Sequence, residues 1–336
     1  TWTSLAAELP MNHFGEGVYG WTAGPVTDAN TALIRVTANT GGDPEDTSDE
    51  AFSIANDGTA YYVNDGSDVG DEYTTAIGSD FNTGKTPDQP MANLASLLRV
   101  YDLDAGDTIY VDTGTYVLPT NVVIDATDSG VTIQGPTGDG YEAVLDRGNF
   151  ATGSYVFDLA GADDVTLSHL TLRGGYYSVY AASGADVDGL RIESSEIDGS
   201  SDVPGLEGEQ SRYGVYLVST SHDDAALVDN RVHGMSSNGV DLAGPGARII
   251  GGVYFDNSYG MYLTGSDNLV QGIEAFGNSQ YGVYVNGAGS EVLDSEVHDN
   301  AAGGINAGNN IRVAGNTVYG HRDSSDTGIL ISGAGA

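Results

Sequence analysis

The sequence predicts an all-β solenoid, and three observations carry that expectation. A short phrase returns about once per 22 residues, the spacing of stacked supersecondary repeats. It reads Tyr213-Gly-Val-Tyr-Leu217, Asn238-Gly-Val-Asp-Leu242, Tyr259-Gly-Met-Tyr-Leu263 and Tyr281-Gly-Val-Tyr-Val285, with Gly303-Gly-Ile-Asn-Ala307 and Thr327-Gly-Ile-Leu-Ile331 closing the series. Within the first four phrases the residues one and three after the glycine are apolar. The residue between them is Tyr216, Asp241, Tyr262 or Tyr284, and Asn306 takes that place in the fifth. This period-two alternation predicts short strands whose middle side chain points outward. A second phrase precedes most of these strands and contains Asn230, Asn257, Asn278, Asn300 or Asn316. Asparagine at an equivalent corner of successive coils suits a side-chain amide ladder. Strands this short, with Gly and Asn corners and no helical period, describe a parallel β-solenoid.

Residues 1–57 differ from the rest and are expected to form a small β-module. Trp2, Trp21, Ala32-Leu-Ile-Arg-Val-Thr37 and Ala51-Phe-Ser-Ile54 read as strands or strand anchors between Gly/Asp/Thr loops. The run from Leu33 to Ile54 resembles the last strands of immunoglobulin-like or fibronectin-type modules, although 57 residues fall short of a complete sandwich of about 100. Ala55-Asn-Asp-Gly-Thr59 reads as the linker. Residues 58–120 then read as a cap with the first coils. Met91, Leu94, Leu97 and Leu98 fall near helical spacing, so a helix over 91–100 is expected to cover the open first coil. The only lysine, Lys85, lies in the loop before it.

Coils fill residues 121–336, at Val122-Val-Ile124, Val131-Thr-Ile-Gln134, Val144-Leu145, Tyr155-Val-Phe-Asp-Leu159, Val165 to Leu172, Tyr177-Ser-Val-Tyr-Ala181 and Leu190-Arg-Ile192. An insertion from Asp198 to Ser211 precedes the regular repeats. The start at Thr1 in mid-pattern and the end at Gly333-Ala-Gly-Ala336 suggest an excised or mature piece, with further domains or copies of the chain expected beyond the uncapped end.

These residues resemble the right-handed parallel β-helix of pectate-lyase-like proteins and alginate epimerases, over roughly residues 58–336. The order Ala60-Tyr-Tyr-Val-Asn-Asp-Gly66, Gly78-Ser-Asp-Phe-Asn-Thr-Gly84, Pro87-Asp-Gln-Pro90, Met91 to Arg99 and Ala105-Gly-Asp-Thr-Ile-Tyr-Val111 is similar to the N-terminal cap of secreted polysaccharide-active β-helices. The resemblance implies a right-handed coil, and an extracellular or cell-surface setting. It does not fix an activity, because one coil carries many.

Composition bounds the partners. The formal net charge is −37 with 11 Lys and Arg against 48 Asp and Glu, so a nucleic acid would be repelled. An acidic polysaccharide would be repelled too, unless cations bridge it or a basic patch receives it. Asp well in excess of Glu, with lysine nearly absent, fits a protein of salty water or one that binds Ca²⁺; the plainer reading is solubility of a long surface. Cysteine is absent, which rules out disulfides and thiolate chemistry. No apolar run approaches the roughly 18 residues of a membrane span.

Three sets of residues are candidates for chemistry. Tyr177, Tyr180, Tyr213, Tyr216, Asp241, Tyr259, Tyr262, Tyr281 and Tyr284 would form one exposed stripe, suited to gripping a polysaccharide or cell-surface glycan by ring packing and hydroxyl contacts. Its plainer reading is cross-strand stabilisation. Arg212, His222 and Asp223 are the catalytic candidates. The stretch from Arg212 to Asp224 resembles a coil of mannuronan C5-epimerases, in which an Arg-His pair neutralises and protonates a uronate. Tyr213 stands where that His belongs, and Tyr176 to Ser183 lacks the Asp, His and Glu of the preceding epimerase coil. Asp223 or Asp224 with Asp241 would be the carboxylate pair of a lyase or glycosidase. Asp65, Asp68 and Asp71 are oxygen ligands for Ca²⁺ in a loop that misses the EF-hand pattern. The expected function is therefore a non-catalytic, structural or adhesive glycan-contacting module, with a polysaccharide lyase, C5-epimerase or glycoside hydrolase as the alternative.

Overall fold

The computed structural model describes residues 2–21, 23–24, 31–38, 44–52, 54, 58–321 and 327–332. From Ala60 onward the chain winds through three parallel sheets of ten, nine and nine strands, adding one strand to each sheet per complete coil. The first sheet runs from Ala60–Val63 to Arg312–Ala314, the second from Gly114–Val117 to Thr317–Tyr319, and the third from Val122–Asp125 to Ile329–Ile331. Period-two alternation puts the middle residue of each short strand inside. In the first sheet Ile133, Leu167, Ile192, Leu227, Ile249, Val270 and Val292 stack in register, all fully buried. Such same-residue-type columns give the solenoid its core, because each coil buries its apolar face only against the next.

The corners explain part of the acidity. Where the third sheet turns into the first, Asp164, Gly189, Asp224, Gly246, Asp267, Gly289 and Asn310 follow one another coil by coil, all at positive φ. Asp and Asn tolerate this left-handed conformation through local hydrogen bonding, and Gly adopts it without a steric cost. The alternation has a reason: a Cβ on Gly246 would run into the Asp224 carboxylate of the coil before.

The asparagines form two ladders rather than one. Asn257, Asn278 and Asn300 lie between the second and third sheets, where Asn257 N donates to Asn278 Oδ1 at 3.0 Å and Asn278 N to Asn300 Oδ1 at 3.0 Å. Asn230 and Asn316 lie between the first and second sheets, accepting from Ser195 N at 3.0 Å and Ser295 N at 2.9 Å. The expected continuous run Val165 to Leu172 is likewise broken. His169, at φ 54°, is a corner that separates Thr166–Ser168 in the first sheet from Leu170–Gly175 in the second.

The cap helix spans Leu94–Val100, three residues later than the hydrophobic spacing suggests. Asn93 is its N-cap and accepts from Ser96 N at 3.1 Å, and Met91 instead bridges Val63 in parallel register. Leu94, Leu97 and Leu98 are buried, and the helix packs against Val122–Asp125, the first strand of the third sheet. The lead-in, expected to be a small immunoglobulin-like module or its C-terminal part, is described only in part. Its described residues hold one antiparallel ladder, Arg35–Thr37 with Glu45–Thr47, and a bridge from Ala32 to Phe52, while Leu5, Met11, Phe14 and Val18 are exposed. Residues 55–57 of the linker and the terminal 333–336 lie outside the described residues. No helix among the described residues is long and apolar enough to cross a membrane.

Candidate functional site

The outer face of the third sheet carries the expected stripe. Inward-facing Val215, Leu217, Val240, Leu242, Met261, Leu263, Val283 and Val285 are buried, which turns the residues between them outward. In register from coil to coil these are Val123, Asp158, Tyr180, Tyr216, Asp241, Tyr262, Tyr284 and Asn306. A second column places Tyr155, Tyr177 and Tyr213 side by side. The glycine after each leading residue keeps the coils close, since a Cβ on Gly260 would meet Gly282 O at 2.5 Å.

The tyrosines form two clusters. In the first, the rings of Tyr155 and Tyr177 stack at 5.4 Å and 4°, those of Tyr177 and Tyr216 at 4.7 Å, and Tyr180 lies 4.1 Å from Tyr155. In the second, Tyr262 and Tyr284 stack at 4.3 Å and 6°, Tyr259 stands edge-on to both, and Tyr281 faces Tyr259 at 6.4 Å. The stacked rings cover one another's faces. They offer a ligand edges and hydroxyls rather than the open faces expected from the sequence.

Asp241 separates the clusters. Its carboxyl accepts from Asn238 Nδ2 at 2.8 Å, yet burial pushes its pKa up to about 6. Burial also raises Asp158 at the other side of the first cluster and pushes Tyr155 up to about 12. Arg212 donates to the Tyr176 hydroxyl at 2.8 Å, holding that phenol below its usual range, and its guanidinium lies 5.5 Å from the Tyr213 ring centre. Tyr216 lies between these charges: burial raises it, Tyr213 and Asp241 add to that, and Arg212 opposes them.

Arg212 and His222 do not come together. Arg212 immediately precedes the strand Tyr213–Leu217, and His222 sits beyond its far end in the turn toward the first sheet. His222 is buried, and burial lowers its pKa. Asp223 lies beside it among Asp186, Asp188 and Asp224, which together with burial raise its carboxyl, and its backbone N–H donates to Asp188 Oδ1 at 2.9 Å. Neither belongs to the stripe's registered column.

The acidic loop is tied to itself. Asp65 Oδ1 accepts from Ser67 N at 2.8 Å, Asp71 Oδ2 from Asn64 Nδ2 at 2.7 Å and Thr74 Oγ1 at 3.1 Å, and Asp68 is exposed. The neighbouring Asp112 accepts from the backbone N–H groups of Glu72, Tyr73 and Thr74 at 2.6–2.9 Å. No three His, Asp or Glu side chains among the described residues converge as a metal site requires. Internal hydrogen bonds thus engage Asp65 and one oxygen of Asp71, while Asp71 Oδ1 is buried without a hydrogen-bond partner.

A second aromatic line escaped the sequence reading. On the outer face of the second sheet His233, Phe255, Phe276, His298 and Tyr319 stack in register, with ring centres 4.6, 5.1, 5.1 and 5.0 Å apart. His233 bonds Glu196 at 2.8 Å, and His298 bonds Glu274 at 3.1 Å and Asp299 at 2.9 Å. These histidines are rungs of a ladder. The signal was available: Phe255, Phe276 and His298 each stand two residues before a ladder asparagine.

The chain belongs to the right-handed β-helix family, whose region model matches residues 155–336. Among solved structures it is similar to pectate lyase Pel9A, at 16% identity and a TM-score of 0.55, covering 82% of this chain and 77% of that one. It is also similar to the A-module of the Azotobacter vinelandii mannuronan C-5 epimerase AlgE6, at 16% identity and a TM-score of 0.43, covering 71% and 90%. A third is PfbA, a surface adhesin of Streptococcus pneumoniae, at 9% identity and a TM-score of 0.31, covering 67% and 84%. No curated protein matches the chain. At 16% identity the likeness to pectate lyase Pel9A concerns the fold alone.

Proposed function

We propose that the outer face of the third sheet holds a glycan chain without cleaving it, as an extracellular or cell-surface module. One observation carries this reading. The outward column from Asp158 to Asn306 is an unbroken line of phenol, carboxyl and amide groups across successive coils, while Arg212 and His222 stand at opposite ends of one strand. Strands about 4.8 Å apart space these groups on the scale of a sugar ring. Tyr hydroxyls donate and accept, the Asp241 carboxylate and Asn306 amide take sugar hydroxyls, and the ring edges supply apolar contact.

A catalytic alternative, a polysaccharide lyase, epimerase or hydrolase, is favoured by Asp241 alone. A carboxyl titrating near 6 is suited to proton transfer. Its nearest carboxylate in the column is Asp158, three strands and about 14 Å away. That exceeds the separation used by either class of two-carboxylate glycosidase.

A glycan array followed by titration of the best ligand tests the reading. Tyr216→Ala and Tyr262→Ala, one from each cluster, should each weaken binding about tenfold with unfolding midpoints kept. Wild-type affinity in both variants would remove the stripe from the site.

A further inference from the structure

A basic pocket adjoins the stripe where the helix meets the third sheet. Arg99 and Arg147 line one cavity of about 450 Å³, with Ala95, Thr120, Asn121 and Val123. Ala95 and Arg99 are one helical turn apart on the cap helix, and Arg147 arrives from the strand Ala143–Asn149 of the second sheet. In a chain of net charge −37, this convergence runs against the composition.

Among the described residues the two guanidiniums differ from most others in lacking a carboxylate partner. Arg35, Arg173, Arg191, Arg231 and Arg312 each pair with an Asp or Glu. Among the described residues Arg99 pairs with none and donates only to Ser96 Oγ at 3.3 Å. Arg147 donates to Asn121 Oδ1 at 3.2 Å and to Leu118 O at 3.1 Å, and its other N–H groups find no acceptor among the described residues. Burial pulls its pKa down, with no carboxylate opposing. A partly desolvated cation left without a counter-charge is unfavourable, and an anion entering the cavity would relieve it.

Continuity with the stripe is direct. Val123 is in register with Asp158, which is in register with Tyr180, and Asn121 Oδ1 also accepts from Tyr155 N at 3.0 Å. We infer that Arg99 and Arg147 form an oxyanion pocket that receives a carboxylate or sulfate ester of the glycan lying on the tyrosine stripe, an inference that rests on the glycan-binding reading above. Paired guanidiniums match the two-oxygen geometry of these groups, and Ala95 and Val123 offer apolar contact beside them. The ligand would then be neutral where it crosses Asp158 and Asp241, and anionic about two strands before Tyr180.

The full chain would be titrated at low salt with a β-1,4-linked glucose hexamer whose one terminal unit is oxidised to glucuronate (the glucuronate hexamer), with cellohexaose as its uncharged counterpart, and with sodium sulfate. The arginine Nε–Hε resonances would be followed by NMR and affinities by calorimetry. The glucuronate hexamer should bind about tenfold tighter than cellohexaose and shift the Arg99 and Arg147 signals. Arg99→Gln should abolish that preference at an unchanged unfolding midpoint, and Arg147→Lys, which keeps the charge but not the fork, should reduce it. Sulfate shifting both signals while the hexamer gains nothing over cellohexaose would support an oxyanion pocket and sever its link to the stripe. If no anion moves either signal, or if Arg99→Gln retains the full preference, the pocket is overturned. Tyr216→Ala and Tyr262→Ala separate the two ideas. Intact hexamer binding in these variants, together with loss in Arg99→Gln, would sink the stripe and keep the pocket; the reverse pattern would do the opposite.

Discussion

Asp241 lies between Tyr216 and Tyr262 with its carboxyl held at a pKa of about 6, against an ordinary 3.8. The folded state therefore binds this proton more tightly than the unfolded chain does. Ionised Asp241 is a penalty that is fully present above pH 6 and disappears below about pH 4. Asp241→Asn removes the penalty and leaves a carbonyl to accept from Asn238. It should stabilise the protein by roughly 1–2 kcal/mol at pH 8, after allowing for the partial exposure of the site, and by nothing at pH 4. Thermal unfolding of both forms at the two pH values checks this. An equal effect at both would mean that the carboxyl is not desolvated. The outward position of Asp241 was legible from alternation alone, because neighbouring Val240 and Leu242 had to face inward. Its desolvation was not, since that depends on tyrosines from the coils on either side.

At the level of the strand and the corner, short repeats left several choices open. The sequence could mark Asn230 and Asn257 as corner residues but could not assign them to different corners, because each coil has three bends and the loops between them vary in length. His169 ended a strand inside an apolar run for the same reason: only the positive φ shows the break. The cap helix was legible from its leucines, and its start was set by Asn93 rather than by Met91. In the lead-in, two strand-like runs suit a hairpin as well as they suit part of a sandwich. The aromatic line on the second sheet is an element of its own. Phe276 stacks on Phe255 and His298 at 5.1 Å each, so Phe276→Ala removes two ring contacts at once. At 0.5–1.5 kcal/mol per aromatic pair, this should cost about 1–3 kcal/mol. Urea unfolding measures the loss, and glycan affinity should stay unchanged because the line lies on a different sheet from the tyrosine stripe. A fall in affinity at unchanged stability would instead make the second sheet a binding surface.

Over the whole molecule, part of the acidity follows from the architecture. Many aspartates sit at left-handed corners or tie loops together, so a net charge of −37 need not signal a metal-binding protein. That charge still shapes the partner: an anionic polymer is repelled by most of the surface and can be tolerated where Arg99, Arg147 and Arg212 lie. A rigid stack of coils also suits holding a chain better than closing around it, since the stripe is built on strands whose register the core fixes. The most direct test mixes the full chain with the polysaccharide it binds best, with and without Ca²⁺, and follows retention and products in one sample. Products are read as reducing ends, as absorbance of unsaturated uronates and, because epimerisation is silent in both, by NMR of the sugar units. Retention that falls in Tyr216→Ala and Tyr262→Ala, with the polysaccharide recovered chemically unchanged, is the predicted result. Product that forms with the wild type and vanishes in Asp241→Asn or Arg212→Ala would contradict it and make the stripe an active site.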